Sequence, residues 1–200
     1  MPTPIDFYFD FSSPYGYLAS EKIDDLGARY GRSVVWHPML LGVASKATGS
    51  IPLPQVPIKG EYSVRDFARS ARFLGLPYRQ PSTFPIATQS VARAFLWLND
   101  QDRKLAKNFA HACYRAFFAE DTNIADLDKL MSIASSLGAD TGALSAALNG
   151  SAIKERLKSE VEAALGRGVF GSPFFIIDGE PFWGVDRLPQ VEKWLVTGGF

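Results

Sequence analysis

The sequence predicts an α/β fold in which a small strand-and-helix unit is split by a large all-helical insertion, and three observations carry that prediction. Residues 5 to 11, IDFYFDF, alternate with the period of a strand. Residues 63 to 166 keep a helical repeat nearly throughout, and a second strand signal, PFFII at 173 to 177, returns only after them. At 200 residues, with 46% hydrophobic and 13% aromatic content, the chain is long enough to bury a real core as one domain or one domain with a large insertion.

In the first strand Ile5, Phe7, Phe9 and Phe11 point to one side and Asp6, Tyr8 and Asp10 to the other. From Pro14 the positions Tyr17, Leu18, Ile23 and Leu26 recur at helical spacing, and Gly31 predicts a stop after Tyr30. Ser33 to Met39 is β-branched and aromatic, a second strand that a connection of this length makes parallel to the first. Gly42 to Tyr62, with Pro52, Pro54, Pro57 and three glycines, reads as a long irregular loop, uncommon in compact domains unless it serves a function. Beyond it Leu105, Phe109, Ala112 and Ala116 mark one helix, Ile124, Leu127, Leu130, Ala134 and Leu137 another, and Leu144 and Leu148 a third. Pro173–Ile177, a turn at Asp178-Gly179, and Pro181–Trp183 form a predicted hairpin, and Leu188–Val196 a closing helix. Strand-helix-strand, many helices, strand-strand-helix is a thioredoxin-like order. It predicts a thioredoxin-like domain from 1–45 and 167–200, with 46–166 as a loop plus an inserted helical domain.

Lysine plus arginine balance aspartate plus glutamate at 21 each, so neither a nucleic acid nor an anionic membrane is an expected partner. MPTPIDFYF lacks the basic and apolar regions of a signal peptide, which makes the cytoplasm the expected location. One cysteine, Cys113, rules out an intrachain disulfide, a Cys-x-x-Cys redox pair and a cysteine-based zinc site, and no metal is expected. Cys113 itself reads as a small buried hydrophobe. Of the two histidines, His111 reads as surface or core, and His37 as a candidate to line a site. Ser13-Pro14 has the form of a helix cap followed by proline at the first helical position.

Four segments carry a resemblance: FYFDFSSPYGYLA near the N-terminus, KATGS, VPIKGEY, and GVFGSPFFIIDGEPFWGVDRL near the C-terminus. Over nearly its whole length the chain resembles 2-hydroxychromene-2-carboxylate isomerases and kappa-class glutathione transferases, which share a thioredoxin-type fold with an inserted helical domain. The resemblance implies glutathione as cofactor, with Ser13 facing its sulfur and a cis bond between Ser172 and Pro173 presenting the backbone to its cysteinyl group. It implies that Asp186 holds the γ-glutamyl amine, with the Val185 backbone beside it and Trp183 and Gly184 in the same segment. Lys46, Ser50 and Lys59 match loop positions that approach the peptide and a second substrate. Without the resemblance, Asp186 would read as a surface carboxylate pairing with Arg187, and Lys46 and Lys59 as exposed lysines. Two departures stand out: Ser50 where the family often has asparagine, and Gly16 where many members have serine, which removes a hydroxyl and loosens the first helix slightly.

The implied reaction is isomerisation of an aromatic hydroxy-keto acid by thiolate addition, bond rotation and elimination, in a homodimer. Phe84 and Trp97 are candidates for an aromatic pocket. A kappa-like transferase that consumes glutathione needs the same thiolate, and a non-catalytic glutathione-binding module is the remaining alternative. A free thiol has a pKa near ~8.5, so the site must lower it. A hydroxyl donating to the anion is worth roughly 1.5 to 3 kcal/mol and a helix N-terminus about 0.3 to 1, together a drop of about 1 to 3 units. Capping the helix and holding a thiolate are therefore compatible uses of Ser13.

Overall fold

The computed structural model describes residues 2–200. In chain order the elements are β1 (Ile5–Phe9), α1 (Pro14–Arg29), β2 (Val34–Pro38), α2 (Leu41–Thr48), α3 (Lys59–Phe73), α4 (Gln89–Gln101), α5 (Arg103–Phe118), α6 (Leu127–Ser136), α7 (Thr141–Asn149), α8 (Ser151–Gly166), β3 (Phe174–Ile177), β4 (Glu180–Trp183) and α9 (Leu188–Thr197). The four strands make one sheet of order β2-β1-β3-β4, with β1 parallel to β2 and antiparallel to β3, and β3 antiparallel to β4. Both ends of the chain therefore build one sheet, and the helices α2 to α8 lie between them in sequence.

Phe7 sits at the centre of this sheet, opposite Trp36 of β2 and Phe175 of β3. Its ring meets Trp36 edge-on at 5.0 Å between centroids and stacks on Phe175 at 5.5 Å. On that face Phe7, Phe9 and Ile177 join Leu18 and Ile23 of α1, Phe95 of α4 and Phe109 and Phe117 of α5 in one core. The side of β1 that looked polar in sequence is covered as well. Tyr8, Phe174 and Ile176 pack there with Ala44 of α2, Ala164 of α8 and Val169. As a result Asp10, beyond the end of β1, is only 2% exposed.

Three expectations are corrected. Residues 42–62 are not one irregular loop: α2 occupies Leu41–Thr48 and ends at Gly49 in the left-handed region (φ 71°), a single 3₁₀ turn covers Leu53–Gln55, and α3 has begun by Lys59. Pro52, Pro54 and Pro57 confine the irregular backbone to the stretch between these helices. Gly42 and Gly60 fall in first turns, where the backbone N–H groups lack intrahelical partners and glycine costs least. The helical block, in turn, is interrupted at residues 74–88, where Pro77, Pro81 and Pro85 exclude helix and Phe84–Pro85 is cis. This segment is still pinned: Tyr78 and Phe84 pack against Phe118, and the Tyr17 hydroxyl donates to the Pro77 carbonyl at 2.9 Å. Ile124 is buried ahead of α6 rather than within it.

Candidate active site

The first turn of α1 is the origin of the site. Ser13 is extended (φ −98°, ψ 113°), Pro14 supplies a φ already suited to the helix, and the Ser13 Oγ accepts the Gly16 N–H at 3.0 Å. The same hydroxyl donates to the Ser172 carbonyl at 2.7 Å. The cap and the loop before β3 are thus joined through one oxygen. The Ser172–Pro173 bond is cis, as the resemblance implied, and the Pro173 carbonyl accepts the Gly184 N–H at 3.0 Å, which ties the end of β4 to the same corner.

Gly16 has a packing reason that the sequence did not disclose. A Cβ there would stand 2.8 Å from the Ser172 Oγ and 2.9 Å from the Tyr114 hydroxyl. The missing side chain therefore lets α1 close on Ser172 and Tyr114, and does not merely loosen the helix. Beneath it, Asp10 is the hub of the floor. Its N–H donates to the Ser172 Oγ at 2.9 Å, and its carbonyl accepts the Tyr114 hydroxyl and the Ser13 N–H, each at 2.9 Å. Its carboxyl group accepts the Ser12 N–H at 2.8 Å and the Leu41 N–H at 2.6 Å, and the nearby Thr88 side chain also favours its charged form. Burial outweighs these donors and raises the Asp10 pKa above the usual carboxylate value.

Above this floor opens a cavity of about 1460 Å³, larger than the roughly 300 to 1,000 Å³ of an ordinary small-molecule site. Ser13, Ser172 and Pro173 line its base. Lys46 and Ser50 from the α2 segment and Lys59 from the start of α3, all exposed, form a lysine-bearing rim, and Trp183, Gly184, Val185 and Asp186 also line the cavity. Asp186 keeps 70% of its side chain exposed and meets Arg187 at 3.5 Å, a loose surface pair. The Ser50 hydroxyl lies 2.9 Å from that of Thr48, within its own segment. An apolar wall comes from Phe67, Phe84 and Ile86. All the candidate positions taken from the resemblance therefore line one cavity.

Several residues do not. Trp97 is half-buried in the helical core, and Cys113 is fully buried on α5, where desolvation pushes its thiol well above the ordinary value. His37 faces away from the cavity, with Nε2 at 3.0 Å from Asp6 and Nδ1 at 3.9 Å from Glu160; burial opposes its charge, but the two carboxylates hold its pKa above the ordinary value. His111 pairs with Glu21 at 3.0 Å on the outer side of α1. Sequence reasoning missed Asp10, Thr88 and Phe170, and also Tyr15, whose hydroxyl donates to Asp66 within the cavity wall. Burial, reinforced by that carboxylate, raises the Tyr15 pKa. Asp10 was hidden because it falls on the apparently solvent-facing side of an alternating strand.

The fold and this corner define a thioredoxin-type protein with a serine hydroxyl at the leading end of the first helix. The chain belongs to the family of DSBA-like thioredoxin domains, whose pattern matches residues 4–196. It is 31% identical over 198 residues to a 2-hydroxychromene-2-carboxylate isomerase of Sphingobium xenophagum, covering 98% of this chain and 100% of the relative. It is 27% identical to glutathione S-transferase kappa 2 of Caenorhabditis elegans, covering 96% and 91% respectively. A solved 2-hydroxychromene-2-carboxylate isomerase superposes with a TM-score of 0.84 at 27% identity, covering 96% of this chain and 94% of that one.

Proposed function

We propose that this protein is a glutathione-dependent isomerase of 2-hydroxychromene-2-carboxylate-type aromatic hydroxy-keto acids. The observation that carries the reading is the Ser13 hydroxyl, held at the N-terminus of α1 and 2.7 Å from the Ser172 carbonyl, in a cavity also lined by Lys46, Lys59 and the exposed Asp186 carboxylate. The relatives named as isomerases support the activity, and the kappa transferase relative supports glutathione.

The residues present fit the tripeptide, which carries one thiol, one amine and two carboxylates. The exposed Asp186 matches the amine, and the Val185 backbone lies beside it. Ser50 and the Ser172 and Pro173 backbone line the same cavity, as do Trp183 and Gly184. Glutathione supplies a thiolate nucleophile there and leaves unchanged. Ser13 keeps the Gly16 N–H on its lone pair and turns its proton from the Ser172 carbonyl toward the sulfur, so that the carbonyl becomes free for a peptide N–H. Exchanging a neutral hydrogen bond, worth about 0.5 to 1.5 kcal/mol, for one to an anion, worth about 1.5 to 3, favours the turn. Lys46 and Lys59 orient the carboxylate of the second substrate, and Phe67 and Phe84 receive its ring.

Residues 46–166 then act as an inserted unit that builds the substrate side of a thioredoxin-like domain formed by 1–45 and 167–200. A cytoplasmic homodimer is part of this reading. Among the described residues no helix is long and apolar enough to cross a membrane.

The test is to follow glutathione concentration while a benzylidenepyruvate-type substrate isomerises. Turnover with unchanged thiol supports the isomerase. Stoichiometric loss of thiol supports the transferase that the kappa relative represents, and no dependence on glutathione overturns both.

A further inference from the structure

The segment from Leu41 to Ile58 carries Lys46 and Ser50 and leads into Lys59, yet it is poorly anchored. Val43, Ile51, Leu53 and Ile58 are exposed, and Ala44 is its one fully buried residue. Among the described residues, the Leu41 N–H to Asp10 bond at 2.6 Å is the one hydrogen bond joining 41–58 to any part of the chain outside 40–60. We infer that Asp10 is a positioning residue, a latch whose buried carboxyl group holds this segment in register with Ser13 and so sets where the rim lysines stand. The inference rests on the reading of the site proposed above.

The geometry is that of a shared cap. Leu41 is the first residue of α2, and its N–H is one of the donors that a helix leaves unpartnered. Leu40, at the cap position, contributes no side-chain bond, so the capping oxygen comes from Asp10, 31 residues earlier in the chain. The other carboxyl oxygen takes the Ser12 N–H, next to the α1 cap. Thr88, at the N-cap position of α4, lies near the same carboxyl group and favours its charged form. One carboxyl group therefore bridges the start of α2 and the residue before the cap of α1, where helix N-termini present partial positive charge to it. Two of its donors are backbone N–H groups, which can only donate. Asparagine, with one acceptor and one donor end, must leave one of them facing an NH₂ group.

The experiment compares wild type, Asp10→Asn and Leu41→Pro. Proline suits the first helical position, and the extended Leu40 (φ −121°, ψ 105°) tolerates a following proline, so Leu41→Pro deletes the latch donor and spares α2. In ligand-free protein, amide exchange across residues 42–56 rises about tenfold in both variants while that of α5 is unchanged. In turnover, KM for the acidic substrate rises about fivefold, the worth of exposed lysine–carboxylate contacts. In Leu41→Pro, which leaves every bond of Asp10 to Ser12, Ser13, Ser172 and Tyr114 in place, kcat is conserved and bound glutathione remains a thiolate.

Unchanged exchange in Leu41→Pro overturns the latch, and faster exchange with unchanged KM overturns the positioning role. Should Asp10→Asn not fold, Leu41→Pro decides alone. If wild type neither binds glutathione nor turns over, the functional reading falls, while the exchange measurement, which needs no ligand, still decides the latch.

Discussion

The floor of the cavity and its lysine-bearing rim are built on opposite principles. Asp10, Ser13, Ser172 and Tyr114 are each less than a tenth exposed and are tied to one another across more than a hundred residues of sequence. Lys46, Ser50 and Lys59 are exposed on a segment with little burial of its own. A group that stabilises a developing anion must be held within tenths of an ångström by packing and hydrogen bonds. A group that steers a carboxylate from the rim acts through a softer, longer-range interaction and tolerates movement. Under the proposed function, the contrast separates thiolate chemistry at Ser13 from substrate recognition at the lysines.

The largest expected effect comes from the apolar support beneath the floor. Phe9 is fully buried and packs edge-on against Phe11, Trp36 and Phe95. Phe9→Ala should cost about 3 to 5 kcal/mol, read by urea unfolding, and a loss under 1 kcal/mol would show that the floor does not depend on it.

Next is an acid effect centred away from the cavity. Burial would raise the Glu21 pKa, but His111 and Arg115 outweigh it and bring it from 4.5 to about 2. Its folded-state value is depressed, so the stabilisation is present above 4.5 and is lost as pH falls toward 2, up to about 3 kcal/mol before screening of the exposed Arg115. Asp10 runs the other way. Its folded-state pKa is raised above 3.8, so its ionisation costs stability as pH climbs past that value. Glu21→Gln should flatten the acid limb of a thermal-denaturation profile and leave glutathione affinity alone; a changed affinity would mean the two sides of α1 are coupled.

Ser13→Ala comes third. It removes the donor to the anion, and bound glutathione should titrate at least about one unit higher by ultraviolet difference, with kcat/KM reduced about 10- to 100-fold. Loss of the cap should cost only about 1 kcal/mol of stability. An unmoved thiol pKa would break the assignment of chemistry to the floor. The smallest effects belong to the rim: Lys46→Ala and Lys59→Ala should each raise KM for the acidic substrate by a factor of about 2 to 5 and leave kcat and melting temperature nearly unchanged. A drop in kcat instead would move the lysines into the chemistry.

Local patterns foretold most of the elements because the relevant interactions are short in sequence. The alternation of β1, the Ser13-Pro14 start and Gly31 stop of α1, the Asp178-Gly179 hairpin and the closing helix all appear where their residues call for them. The failures have the opposite character. Glycines and prolines between residues 42 and 62 concealed most of α2 and the start of α3, and the capping oxygen for α2 comes from Asp10 rather than from the adjacent Leu40. The alternation of β1 was read correctly, but nothing local could say that α2 and α8 would cover its second face and bury Tyr8 and Asp10.

By itself, then, the sequence determined a thioredoxin-like order of strands and helices, a single cysteine that excludes dithiol chemistry, and a serine at the leading end of the first helix. Periodicity, turn chemistry and capping act over a few residues, and each leaves its mark in the local string. The tertiary structure decided that Ser13 shares its proton with Ser172, that Gly16 must lack a side chain, and that a buried carboxyl group joins the starts of α1 and α2. Those outcomes depend on groups separated by 31 to 159 residues being packed within hydrogen-bond reach, and only burial of the shared core brings them there.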